Sequence, residues 1–225
     1  MRVDWGRDSP VRRRHGRTCA PPAVVERTRF ESGAEDRTGE DPLIRPIVSC
    51  TDPFLRIPSV EIATITQDVR DLARDLVETA LHHEAAGIAA PQVGAGLRMV
   101  CYIDVPGATN LPQVHLKQFW KPTILINPVI SKASEAMIEW DEGCLSMPGS
   151  YFPVSRHRLI DVSYTDLNGE TQTITDAGGY KAICLQHEID HLDGILNIDR
   201  IVGPLKKAMI MTSWRKAQRR AQRAA

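Results

Sequence analysis

Apolar positions recur along this chain with two different periods, and the periods divide it into elements. From Thr64 to His83 the positions Val69, Leu72, Ala73, Leu76, Val77, Ala80 and Leu81 repeat at intervals of three and four. That spacing gathers them into one stripe and predicts an amphipathic helix, with Thr64 or Thr66 able to cap it. Gly87 to Gly94 is small and irregular, which suits a turn and a short extended piece. Arg98–Asp104 (RMVCYID), Thr123–Ile130 (TILINPVI) and Met137–Trp140 read as strands. Asp104–Pro122 carries Pro106, Gly107, Asn110, Pro112 and Pro122 and reads as a long surface loop. Leu159–Asp166 and Thr171–Thr175 flank Asn168-Gly169, a hairpin signal. Beyond Gly178 and Gly179 a second helix is expected from Tyr180 to Leu192, with Ile183, Cys184 and Ile189 on its apolar stripe and Gly194 closing it. Pro204–Ala225 is helix-forming. Helix, antiparallel strands and helix in that order predict an α+β fold. No internal repeat is present.

Charge changes this picture more than composition does. The 225 residues are 42% hydrophobic and 25% charged, close to the average soluble domain, with 28 basic and 28 acidic side chains. No run of about 18 apolar residues exists, so no membrane-spanning helix and no membrane partner is expected. The neutral total hides a division. Residues 1–41 sum to +1, residues 42–204 to −8 and residues 205–225 to +7. Residues 1–41 are expected to form a disordered arm. Arg12, Arg13 and Arg14 precede no apolar stretch, so no export signal is expected, and Asp4, Asp8, Glu26, Glu31 and Glu35 count against a transit peptide. The five cysteines, Cys19, Cys50, Cys101, Cys144 and Cys184, are odd in number and lack a compact spacing. A secreted disulfide scaffold is therefore not expected.

The chemistry concentrates in Gln186-His187-Glu188-Ile189-Asp190-His191. Histidines at i and i+4 share a helix face, so both imidazoles can reach one divalent ion. The glutamate beside the first can exchange protons with water activated by that ion. A third ligand is missing downstream. Asn197 stands where a metzincin needs its third histidine, and no glutamate follows Glu188. The best upstream candidate is Cys144, hemmed by Gly143 and Pro148 in DEGCLSMPG, whose thiolate would complete a Cys-His-His site with one position open.

These segments, with Gly87-Ile88-Ala89-Ala90-Pro91-Gln92, resemble the three motifs of peptide deformylases, GxGxAAxQ, EGCxS and QHExDH. EGCLS is complete from Glu142 and QHEIDH from Gln186, whereas Ala85 replaces the first glycine of GxGxAAxQ. The resemblance spans roughly Ile47 to Ile201. It implies an α+β domain of antiparallel strands around a central HExxH helix, over residues 42–204. It implies hydrolysis of the formyl group from the formyl-methionine that begins new chains, with formate released. Cys144, His187 and His191 would hold one divalent metal, Fe(II) first, with Zn(II), Ni(II) or Co(II) substituting. Glu188 would act as base and then acid. The Gln92 amide and the Leu145 backbone N–H would stabilise the oxyanion. Gly87 would keep a close approach to substrate, and Ala86, Trp140, Tyr180, Ile183 and Cys184 would line the methionine slot. Glu142 and Arg156 would pair and steady the EGCLS bend. Ala85 is expected to alter rate or specificity.

Two other readings follow from the residues. One is an HExxH metalloprotease acting on unformylated bonds, against which the absent downstream ligand counts. The other is a metal-bearing protein that docks on ribosomes through residues 205–225, a basic helix or tail. There Lys206, Lys207, Arg215, Lys216, Arg219, Arg220 and Arg223 could meet RNA phosphates, and Leu205, Met209, Ile210 and Trp214 could dock the helix to the body. The resemblance places the protein in the bacterial cytoplasm, with organellar import as the alternative.

Overall fold

The structure is a computed structural model that describes residues 43–104 and 120–224. The expected N-terminal arm and most of the Asp104–Pro122 loop lie outside the described residues. Helix α1 spans Gln67–His82, and the Thr66 hydroxyl caps it by accepting from the Val69 N–H. One face is buried, led by Val69, Leu72, Ala73, Leu76 and Ala80, as the spacing predicts.

Among the described residues seven strands follow: β1 (Gly87–Ala89), β2 (Met99–Asp104), β3 (Lys121–Ala133), β4 (Met137–Glu142), β5 (Phe152–His157), β6 (Leu159–Thr165) and β7 (Thr171–Gly178). Five of them form an antiparallel sheet in the order β1-β2-β3-β6-β7, and β4 pairs with β5 in a separate ribbon. The β6–β7 hairpin turns at Gly169, whose φ is +84°. Strand β3 runs past both expected ends. Its register shifts between Ile126 and Val129, where Asn127 adopts a φ of +50°. The Asn127 side chain explains the bulge. Its Oδ1 accepts from the Ile62 N–H and its Nδ2 donates to the Ile62 carbonyl, both at 2.9 Å.

Strand β5 was not among the expected elements. Pro153 interrupts its pattern, and a two-stranded ribbon can tolerate proline where a sheet centre cannot. Its burial does alternate, with Phe152, Val154 and Arg156 inward.

Helix α2 (Gly179–Leu192) is the centre of the molecule. Every residue from Ala182 to Leu192 is buried. Its apolar side chains pack with Ala89, Val100, Tyr102, Leu125 and Val162 of the sheet. Gly194, at φ +73°, ends it and passes so close to the Arg56 backbone that a Cβ there would lie 2.7 Å from the Arg56 carbonyl oxygen.

The chain before α1 ties the motif-bearing segments together. The Val48 N–H donates to the Gln92 carbonyl, that of Cys50 to Ser146 and that of Ser59 to Leu192, each at 2.8 Å. Helix α3 (Pro204–Ala224) lies over the Ser146–Gly149 bend. Trp214 Nε1 and Gln218 Nε2 both donate to the Pro148 carbonyl at 3.2 Å. The face expected to dock α3 is corrected in part. Ile210, Met211 and Trp214 pack against the body, whereas Leu205 and Met209 are exposed. Among the described residues no helix is long and apolar enough to cross a membrane.

Candidate metal centre and active-site cleft

Five polar side chains, Gln186, His187, Glu188, Asp190 and His191, are buried on one helix. Burial of that kind is costly unless each group has a partner or a task. Gln186 and Asp190 have partners. Gln186 exchanges hydrogen bonds with the His157 backbone at 3.0 Å. Asp190 accepts from Arg156 Nη1 and Arg200 Nη2, and from Arg200 Nε at 3.0 Å. The remaining three define the site.

His187 and His191 stand one helical turn apart, their ring centroids separated by 5.0 Å. The DEGCLS bend brings Cys144 beside them, its Sγ 3.3 Å from His191 Nε2. Ligand atoms of Cys144, His187 and His191 all lie within 4.8 Å of one another. His187 Nδ1 is engaged by Glu142 Oε2 at 2.8 Å, which leaves Nε2 as the nitrogen available to a metal. One soft thiolate and two imidazoles form a tetrahedral donor set with a position to spare. The residues present therefore fit a divalent transition metal.

Behind the histidines runs a buried charge chain. Arg156 Nε donates to Glu142 Oε1 at 2.6 Å and Nη2 to Oε2 at 3.0 Å. Burial pushes the Glu142 carboxyl up, but His187 and Arg156 outweigh it and hold it at about 2. The expected Glu142–Arg156 pair is thus formed. Asp190 and Arg200, which extend it, were not singled out from the sequence. Asp190 sits inside QHEIDH, but which arginine would meet it depends on the fold.

Glu188 is 5% exposed, and its Oε2 has no hydrogen-bond partner among the described residues. Burial lifts its carboxyl, His187 opposes the lift and Glu142 adds to it, leaving it near 7 against an ordinary 4.5. Gln92 is fixed by its own turn. The Ala89 N–H donates to Gln92 Oε1 at 2.8 Å. The amide nitrogen is thereby turned toward Cys144 Sγ, 3.6 Å away, and Ser146 Oγ, 3.4 Å away.

These groups face a cleft of about 970 Å³. Of the residues expected in the site, Ala86, Gly87, Gln92, Trp140, Glu142, Cys144, Leu145, Tyr180, Ile183, Cys184, His187 and Glu188 all line it. His191 and Arg156 are not among its described lining residues. Trp140 and Tyr180 face each other with ring centroids 6.4 Å apart. Ala85 also lines the cleft, so its methyl group is at the wall rather than in the core. Trp120 and Tyr151, which the sequence did not mark, line it as well.

A sequence model of polypeptide deformylases matches residues 44–207. The chain belongs to the polypeptide deformylase family. It is 38% identical over 177 residues to a peptide deformylase of Rhodopseudomonas palustris, covering 79% of this chain and 96% of that one. It is 39% identical over 174 residues to one of Rhizobium meliloti, covering 77% and 94%. The crystal structure of the Ehrlichia chaffeensis peptide deformylase in complex with actinonin superposes with a TM-score of 0.69 at 33% identity, covering 78% of this chain and 98% of that one. As a deformylase the chain is a metallohydrolase that removes the formyl group from N-terminal methionine.

Proposed function

We propose that this deformylase works through Cys144, His187, His191, Glu188, Gln92 and Leu145. The observation that carries the reading is a Cys-His-His cluster beside a buried glutamate that lacks a hydrogen-bond partner among the described residues. Cys144, His187 and His191 hold one divalent ion. We take this to be Fe(II), with Zn(II), Ni(II) or Co(II) able to substitute, because a thiolate and two imidazoles suit any of them. When bound there, such an ion would supply Lewis-acid polarisation and lower the pKa of water. Glu188 Oε2 takes the proton of the attacking water and returns it to the amine that leaves, a role suited to a carboxyl near neutrality. Gln92 Nε2 and the Leu145 backbone N–H stabilise the charge that develops on the formyl oxygen. Ala86, Trp140, Tyr180, Ile183 and Cys184 receive the methionine side chain, and Gly87 allows the substrate a close approach. Glu142 and Arg156 hold the His187 ring and the bend that carries Cys144.

The substrates are nascent formyl-methionyl peptides, and residues 42–204 form the catalytic domain. The bacterial relatives support a place in the bacterial cytoplasm. The basic helix α3 supports contact with the ribosome. Lys206, Arg215, Lys216, Arg219, Arg220 and Arg223 are all exposed on it. The test of the catalytic reading is formate release from a formyl-methionyl peptide by anaerobically prepared, Fe(II)-loaded protein. Formate release with no cleavage of internal peptide bonds is expected. Cleavage of an unformylated internal bond without formate release would overturn it in favour of a protease.

A further inference from the structure

The charges behind the histidines alternate in sign: Glu142, Arg156, Asp190, Arg200. The first three side chains are 3%, 3% and 9% exposed, whereas Arg200 reaches solvent at 44%. The guanidinium of Arg156 is shared. Its Nε and Nη2 hold Glu142, and its Nη1 donates to Asp190. Two buried carboxylates thus draw on one buried cation, and one negative charge is left over. Arg200 supplies the missing cation. Its Nη2 donates to Asp190 Oδ1 and its Nε to Oδ2 at 3.0 Å, a two-point grip. Among the described residues, Arg156 and Arg200 are the cations paired with Asp190. Arg200 ends the 3-10 turn Asn197–Arg200. The neighbouring Asp199 accepts from Arg56 and Lys207, so the backbone that presents Arg200 is fixed from two further sides.

We propose that Arg200 is a positioning residue for the metal site. It satisfies Asp190, so that Arg156 stays turned on Glu142 and Glu142 stays on His187 Nδ1. This role rests on the deformylase reading, in which Cys144, His187 and His191 hold the ion. Without Arg200, the buried Asp190 has Arg156 as its remaining cation, and the two carboxylates compete for it. A guanidinium drawn toward Asp190 loosens its hold on Glu142. Glu142 fixes the His187 ring at 2.8 Å and stands two residues before Cys144, so two of the three ligands lose orientation together. Outer partners of metal-bound histidines are worth about 10- to 100-fold in metal affinity. Arg200 acts through two intervening side chains before Glu142 and is partly exposed, so its share is smaller, about three- to tenfold. It is not among the described lining residues of the cleft. Its loss therefore weakens the hold on the metal and leaves KM for the peptide unchanged.

The test compares full-length wild type, Arg200→Gln, Arg200→Lys and Arg98→Gln. Arg98 is the control. Its Nη1 donates to Asp193 Oδ1 at 2.6 Å, and Asp193 caps the C-terminus of α2, so the variant breaks an ion pair at the same helix end without touching the chain of charges. Co(II) affinity is measured by competition with a chelator and followed by the thiolate-to-cobalt absorption band. Thermal unfolding of the metal-free proteins is recorded beside it. Arg200→Gln should bind Co(II) about three- to tenfold more weakly than wild type. Arg200→Lys, which keeps the charge but not the two-point grip, should fall between them. Arg98→Gln should stay within about twofold of wild type even if its Tm falls as far. In the Co(II)-saturated proteins KM for a formyl-Met-Ala-Ser amide should not change. Wild-type affinity in Arg200→Gln overturns the inference. So does an equal loss of affinity in Arg98→Gln, which would make the effect one of general stability. If Co(II) binds but no protein releases formate, the deformylase reading falls, and the order of affinities still decides the role of Arg200.

Discussion

A Cβ on Gly87 would lie 2.7 Å from Cys184 Sγ and 2.9 Å from both Cγ and Oε1 of Glu188. Cys184 has little room to yield in a buried helix, so Glu188 would have to move. Displacement of a reacting group by about 1 Å can cost on the order of a hundredfold in rate. Gly87→Ala is therefore expected to lower kcat by about ten- to hundredfold while metal content, read by elemental analysis, stays at the wild-type level. Unchanged kcat would show that the carboxylate tolerates the displacement. At this scale the sequence was most legible where chemistry lies in short motifs. The two histidines share a helix face by their spacing, and Cys144, which the sequence marks only as the candidate left once a downstream ligand is missing, is brought within reach of both. Asp190 and Arg200 could not be paired in advance, because residues ten apart meet only through the turn after α2.

Among the elements, α1 and the β6–β7 hairpin were legible because their signals are local, a stripe at helical spacing and an Asn-Gly turn. Strand β5 was not, since Pro153 masks its alternation and its partner is a single strand. Helix α3 was legible as a helix but not in its orientation. Two apolar faces exist, and the sequence does not say which meets the body. The structure turns Ile210, Met211 and Trp214 inward. Trp214→Ala is expected to destabilise the protein by about 3 kcal/mol in denaturant unfolding. It should also make α3 cleavable by protease under native conditions, because the indole both fills the contact and donates to Pro148. A loss well under 1 kcal/mol would mean that the helix is not docked.

The molecule as a whole is joined by a small charged junction and by its leading segment. Asp199 accepts from Arg56, before α1, and from Lys207, on α3. Burial pushes its carboxyl up, but the Lys207 and Arg56 hydrogen bonds outweigh that and the net shift is downward. A lowered folded pKa contributes stability above the unfolded value, and that stability is lost as pH falls through the folded value. Asp199→Asn should therefore lower Tm at pH 7, and the gap should narrow below about pH 4. A gap that is constant with pH would contradict the junction. The leading segment, bonded to Gln92, Ser146 and Leu192, had no sequence signal because backbone bonds do not depend on residue type. The charge division was legible from the start. The −8 lies on the body that holds the cleft and the +7 on the helix that rests beside it.

On the proposed mechanism Cys144, His187 and His191 hold the metal while Glu188 moves the proton. Its most direct test is formate release per bound metal, measured side by side in anaerobically prepared wild-type protein and Glu188→Gln. About one divalent ion per chain is expected in both proteins, with kcat lowered by about 10² to 10⁴ in the variant. Equal turnover in the two, at equal metal content, would contradict it.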